Sequence, residues 1–209
     1  MTKVLMINGS PDVNGCIHTA FKIISECLRA HGTECEEIIV GNQDIRGGIG
    51  CRMCKTNGRC VFNDLVNATA EKLEEADGLI IGSPVYYGNP NGTVLSFMQR
   101  LFYSCGCDLS MKVGASVVSC RRGGNSAVFE ALNQFFTISG MPIASSSYWN
   151  DVHGYTAEDV YRDEEGVQTM QNLAENMQFL MDAIAERKKT VDKPAMKREV
   201  HTHFIRGEK

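Results

Sequence analysis

The chain has no apolar run long enough to cross a bilayer and no N-terminal signal pattern, so the expectation is a cytoplasmic protein without a membrane span. Basic charge is also scarce. Lys and Arg number 21 against 25 Asp and Glu, for a net charge of −4 and a pI near 5.8. That balance gives no general attraction to nucleic acid or to anionic membranes, both of which bind basic surfaces. No repeat and no low-complexity segment interrupts the 209 residues, a length that suits one α/β domain with a substantial core. Cysteine, in contrast, is abundant at nine. The odd count and the missing signal point to reduced thiols rather than a disulfide framework.

The first strongly patterned stretch is Val4-Leu5-Met6-Ile7 running into Asn8-Gly9-Ser10-Pro11. The apolar run is too short for a helix and predicts a buried strand. From Ile17 onward, Ala20, Phe21, Ile24 and Leu28 recur at helical spacing. The turn between them has neither Gly-Lys-Ser/Thr nor Gly-x-Gly-x-x-Gly, so a triphosphatase loop and a dinucleotide fingerprint are both excluded there. It also holds no Lys or Arg between Asn8 and Thr19. A phosphate at this position must therefore rest on backbone N–H groups at a helix start and on the hydroxyls of Ser10 and Thr19. The competing reading is a plain Gly/Ser turn.

Further strands are predicted over Glu34 to Val40, Leu79 to Ser83, Lys112 to Cys120 and, weakly, Pro142 to Ser146. Helices are predicted from Leu65 to Ala76, Val94 to Phe102, Ser126 to Ser139 and Val167 to Arg187. Asp64 is placed to cap the first of these. The alternation implies a doubly wound parallel sheet with helices on both faces. Ligands in such sheets bind beyond the carboxyl ends of the strands. Three unusual loops lie at that edge: the Ser10 turn, Ser83 to Gly92 with Tyr86 and Tyr87, and Ser119 to Asn125 with Arg121 and Arg122 on a Gly123-Gly124 turn. Together they suit a phosphorylated, flat, polar heterocycle.

These motifs, with Gly9-Ser10-Pro11, Gly82-Ser83-Pro84-Val85-Tyr86, Arg121-Arg122-Gly123-Gly124 and Tyr148-Trp149-Asn150, resemble those of the flavodoxin-like NAD(P)H-dependent FMN reductase and iron–sulfur flavoprotein families. The resemblance covers roughly residues 3 to 185. It implies a flavodoxin-like five-stranded parallel sheet of order 2-1-3-4-5 and an FMN cofactor. Ser10, Cys16, Ile17, His18 and Thr19 would then sit at the phosphate. Pro84, Val85, Tyr86 and Tyr87 would line the ribityl chain and ring, and Arg121, Arg122, Gly123 and Gly124 would meet the pyrimidine edge. Trp149, Asn150 and His153 are candidates for a pocket that takes nicotinamide or substrate. For each aromatic here core packing is the competing reading, and for the arginines an exposed turn. The flavin carries the hydride, so no catalytic triad is implied. The expected activity is transfer of electrons from NAD(P)H to a flavin, quinone or similar small acceptor. The alternative is an electron-transfer module serving a protein partner. Similar proteins pair subunits across the flavin edge, so a homodimer or homotetramer is expected.

Cys51-Arg52-Met53-Cys54 and Cys60 match three of the four cysteines of the iron–sulfur flavoproteins, and Gly48 stands where the first would be. A four-iron cluster normally takes four thiolates, so no metal is expected here. The segment reads as a structural loop, and a cluster with an outside ligand, thiol redox chemistry or a zinc site are the alternatives. At the chain's end, Arg187 to Lys209 carries eight basic against three acidic residues. The expected organisation is thus a domain over residues 1–187 and a basic tail over 188–209 that is either solvated or laid on a partner subunit. His201 and His203 in that tail read as incidental, because no further ligand lies close in sequence.

Overall fold

The computed structural model describes residues 1–200 and residue 202, so His201 and His203 lie outside the described residues. In chain order the elements are β1 (Lys3–Asn8), α1 (Cys16–Ala30), β2 (Glu34–Ile39), α2 (Cys54–Asn57), α3 (Leu65–Glu75), β3 (Gly78–Tyr86), β4 (Asn89–Pro90), α4 (Gly92–Ser104), β5 (Val113–Cys120), α5 (Asn125–Ile138), β6 (Asp151–His153), α6 (Ala157–Arg162) and α7 (Glu164–Lys188). The parallel sheet runs β2-β1-β3-β5-β6, and β4 pairs antiparallel with the end of β3.

The strands are apolar on consecutive residues because both faces are covered. Val4 and Met6 of β1 face a layer made by α1, α6 and α7, whose Phe21, Ile24, Val160, Leu173 and Met177 are buried there. Leu5 and Ile7 face the opposite layer of α3, α4 and α5, with Leu73, Phe97, Leu101, Leu132 and Phe136. Burying a side chain of this size removes it from water at a gain of about 1.5–3 kcal/mol. The two clusters on either side of one sheet therefore hold the strand ends rigidly where the loops leave. No helix among the described residues is long and apolar enough to cross a membrane.

The structure moves the fifth strand. Pro142 to Ser146 makes one bridge, Ile143 to Gly114, and the regular pairing at that edge falls to β6, where Asp151 to His153 pairs with Val118 to Cys120. The reason is local. Ser146 Oγ donates at 2.7 Å to Tyr148 O or Asn150 Oδ1, and a side chain that bonds nearby groups draws the segment out of the ladder. The strand order is otherwise the expected one.

The loop expected from Ser83 is shorter than the sequence suggests, because β3 continues to Tyr86. The chain then turns back through Tyr87 and Gly88, both left-handed at φ 52° and 73°. Two consecutive positive φ values are those of the tight hairpin turn that matches strand twist. The described part of the basic tail lies against its own chain: Lys193 Nζ reaches Asp108 at 2.6 Å and Arg198 donates to Ile138 O at 2.9 Å.

Candidate functional site

The first loop hangs on Asn8, a fully buried residue at the end of β1. Its Oδ1 accepts the Ser10 N–H at 2.8 Å, its Nδ2 donates to Glu37 Oε1 at 2.6 Å, and its carbonyl accepts from Val40 at 2.8 Å and Gly41 at 3.1 Å. Glu37 Oε2 in turn lies 2.7 Å from His18 Nδ1, so β1, β2 and α1 share one polar network beneath the turn. The chain leaving β2 presses on the same turn. A Cβ on Gly41 would lie 2.2 Å from the Ser10 carbonyl carbon, which only glycine avoids.

The start of α1 is open. Its N-cap, Gly15, offers no side-chain bond, its first turn holds no acid, and the first helical bond is Thr19 N–H to Gly15 O. The N–H groups of Cys16, Ile17 and His18 precede that bond and are the orphan donors of a helix start. Ser10 Oγ accepts from Asp12 N–H at 3.2 Å, leaving its own proton to donate. Thr19 differs from expectation. Its hydroxyl is buried and donates back to Gly15 O at 3.1 Å, so it supports the helix and has no proton for a ligand. Ile17 contributes backbone only, its side chain being fully buried in the core. Cys16 Sγ donates to Thr156 O at 3.3 Å, and burial, with Asp159 nearby, pushes this thiol up and keeps it neutral.

The three loops meet in one cleft of about 450 Å³. Ser10, Asp12, Gly15 and Cys16 line it from the first loop, Pro84, Val85 and Tyr86 from the second, Ser119, Cys120 and Arg121 from the third, and Gly154 and Tyr155 from beyond β6. The second and third loops touch through Gly124, left-handed at φ 90°, where a Cβ would lie 2.9 Å from Val85 Cγ1 and 3.2 Å from Gly88 Cα. Tyr86 is half-exposed on the cleft wall. Tyr87, fully exposed at the hairpin tip, Arg122 and Gly123 stand outside the lining.

Trp149, Asn150 and His153, expected in a substrate pocket, are not part of the cleft wall. Asn150 is fully buried: its Oδ1 is 2.7 Å from Ser146 Oγ and its carbonyl accepts the Val118 N–H at 2.9 Å, so it anchors the sheet edge, with Nδ2 buried and unpartnered. Trp149 is half-exposed, with its ring centroid 5.0 Å from that of Tyr148. His153 Nδ1 lies 3.5 Å from Asp163 Oδ2, at the cap of α7. Gly154 and Tyr155 take the place on the wall. They were missed because the strand at that edge runs over Asp151–His153 where Pro142–Ser146 was expected, so the chain reaches the carboxyl edge later in sequence. Asn8 and Glu37 were missed too. The only sequence signal for Asn8 is a lone polar residue closing an apolar run.

A family model described as NADPH-dependent FMN reductase matches residues 2–156. The chain belongs to this family. Among the relatives of this FMN reductase family member, an iron–sulfur flavoprotein of Methanocaldococcus jannaschii is 31% identical over 183 residues, 84% of this chain and 95% of the relative. Of solved structures, RosB with a bound riboflavin-phosphate intermediate has a TM-score of 0.70 at 15% identity, covering 100% of this chain and 95% of that one. An NADH:FMN oxidoreductase has a TM-score of 0.60 at 16% identity, covering 93% and 92%. Flavodoxins share the architecture as well, and the fold is flavodoxin-like.

The residues of this family member fit an FMN. The uncapped start of α1 and the Ser10 hydroxyl supply donors without a competing side chain, and the cleft continues from them along Pro84 to Tyr86. The iron–sulfur group in the relatives' name fits less well. Cys51, Cys54 and Cys60 have Gly48 as their fourth position, and among the described residues no three His, Cys, Asp or Glu are grouped to hold a metal ion. Cys60 Sγ is instead 3.2 Å from Arg100 Nη2. The Arg100 side chain is 3% exposed and pairs with Asp64 at 2.7 Å, and Arg100 and Arg46 both stack on the Phe62 ring, each guanidinium 4.9 Å from its centroid. A buried guanidinium thus fills the position beside the third thiol.

Proposed function

We propose that the cleft binds FMN and that the protein passes electrons from NAD(P)H to a flavin, quinone or similar small acceptor. The observation that carries this is the convergence of three loops, at the carboxyl edge of the sheet, on a cleft that begins at an uncapped helix start. Ser10 Oγ and the N–H groups of Cys16, Ile17 and His18 hold the phosphate. Pro84, Val85 and Tyr86 lie along the ribityl chain and ring, and the loop from Arg121 to Gly124 meets the pyrimidine edge. The bound flavin supplies the hydride chemistry, so the protein's work is to bind, orient and shield. Arg121 holds positive charge where the reduced cofactor becomes more negative, which favours a hydride acceptor over a carrier poised at very low potential. Gly154 and Tyr155 form the wall against which nicotinamide or acceptor rests. The protein acts as a homodimer or homotetramer, with exposed Tyr86, Tyr87 and Tyr155 at the cleft edge as the apolar area that a second subunit covers.

Anaerobic steady-state assays with FMN-loaded protein test the reading. NADPH or NADH should be consumed when a quinone or free flavin is present, and Arg121→Ala should slow flavin reduction and lower the flavin potential. Absence of turnover with either nicotinamide, together with a long-lived half-reduced flavin, would replace it with the single-electron module.

A further inference from the structure

A second cavity, about 480 Å³ and distinct from the cleft, opens at the carboxyl end of α4. Two thiols line it, Cys105 and Cys107, separated only by Gly106, both partly exposed and both free. Gly106 faces the loop after α2, where a Cβ would lie 3.6 Å from Gly58 O, so the Cys-Gly-Cys turn is seated against its neighbours. The wall also carries Lys55 of α2, whose ammonium sits 4.6 Å from the centroid of the Tyr103 ring, and Arg198 of the tail. The carboxylate on that wall, Asp108, is bridged by Lys193 at 2.6 Å.

We propose that Cys105 and Cys107 form a dithiol–disulfide couple that exchanges with small carboxylate-bearing disulfides, a site that the flavin cleft does not use. The two thiols are not equivalent. The neighbouring Cys107 thiol and backbone hold the Cys105 thiol down at about 7 although burial opposes this. The Cys105 sulfur, with burial, pushes Cys107 up. Cys105 is therefore the attacking thiolate near neutral pH, and Cys107 the resolving thiol. Lys112 bears on Cys105 with Glu74 opposing it, and Lys55 and Arg198 put further positive charge on the same cavity wall, which favours an anionic partner.

The exchange balances without another reactant. The Cys105 thiolate attacks one sulfur of the small disulfide, forming a new S–S bond and expelling a thiolate, which takes a proton from water. Cys107 then loses its proton and attacks the Cys105 sulfur, breaking the mixed bond and releasing the second small thiol. Two electrons pass from the protein dithiol to the small disulfide, giving two small thiols and one Cys105–Cys107 bond.

The test uses the reduced full-length chain under anaerobic conditions, exposed to glutathione disulfide, which carries carboxylates, or to cystamine, which is cationic. Samples are quenched by alkylation and mapped by mass spectrometry. Among the nine cysteines, the Cys105–Cys107 bond should form first, and several-fold faster with glutathione disulfide than with cystamine. Cys107→Ser should accumulate the mixed disulfide on Cys105, and Cys105→Ser should accumulate none on Cys107. Lys55→Glu combined with Arg198→Glu should abolish or reverse the preference for the anionic reagent. First reaction at Cys51, Cys54 or another thiol, equal rates with the two reagents, or a mixed disulfide on Cys107 in the Cys105→Ser variant would each overturn the proposal.

Discussion

Asn8 shows how one buried amide sets the shape of a ligand loop. It satisfies the Ser10 N–H and meets a Glu37 oxygen in the same side chain, while its backbone closes the turn after β2. Asn8→Ala removes both side-chain bonds and leaves a buried donor without its partner, which costs about 1–3 kcal/mol. Urea unfolding should show that loss, and FMN affinity should fall more steeply than stability because the Ser10 turn loses its fixed geometry. An unchanged affinity would mean that Gly41 and β2 alone hold the turn. The position of the loop was legible from the apolar run and the small residues after it. The role of Asn8 was not, since one polar residue at a strand end carries no periodic signal. Thr19 errs in the other direction: a hydroxyl near a helix start is equally suited to a ligand and to the helix's own carbonyl, and only geometry separates the two.

At the scale of elements, the expected helices and, apart from Pro142 to Ser146, the expected parallel strands are found because each carries an apolar face or run that a covered sheet demands. The exceptions are short. The hairpin at Tyr87 uses a left-handed tyrosine where Asn or Gly would be the usual signal, so nothing in the sequence announces it. Helix α6 is six residues long, and its only mark is the capping pair Thr156 and Asp159. Asp159 accepts the N–H groups of Tyr155 and Thr156, which hold its carboxyl below the usual range. A depressed folded pKa contributes stability that is present above the unfolded value and lost as the pH falls through the folded one. The stability gap between the native chain and Asp159→Asn should therefore be full at about pH 6 and close below about pH 4. A gap that stays constant over that range would show that the cap acts without its charge.

Asp64 links elements more strongly. It caps α3 through Val66 N–H and pairs with the buried Arg100 of α4. Asp64→Ala strands a buried guanidinium, and thermal and urea unfolding should report a loss of about 3–5 kcal/mol. Asp64→Asn, which keeps the cap, should recover only part of it.

For the molecule as a whole, the doubly wound sheet places three loops from distant parts of the sequence on one edge, and the cleft is their product. That convergence was legible from strand order alone, as ligands gather at the carboxyl edge of such sheets. The exact wall was not. The displacement of the last strand from Pro142–Ser146 to Asp151–His153 leaves Trp149 and Asn150 before the strand, short of its carboxyl edge, and brings Gly154 and Tyr155 to the cleft. The cysteine loop was read from ligand count, and the structure adds that Arg100 lies beside Cys60.

The most direct test of the cleft is a comparison of two flavins. Equilibrium titration of the apoprotein with FMN and with riboflavin, followed by flavin fluorescence, isolates the phosphate, which the start of α1 and Ser10 are built to hold. Charge-assisted hydrogen bonds at that end should make FMN tighter by on the order of a hundredfold. Equal affinity for the two flavins, or uptake of neither, would contradict the assignment of the cleft.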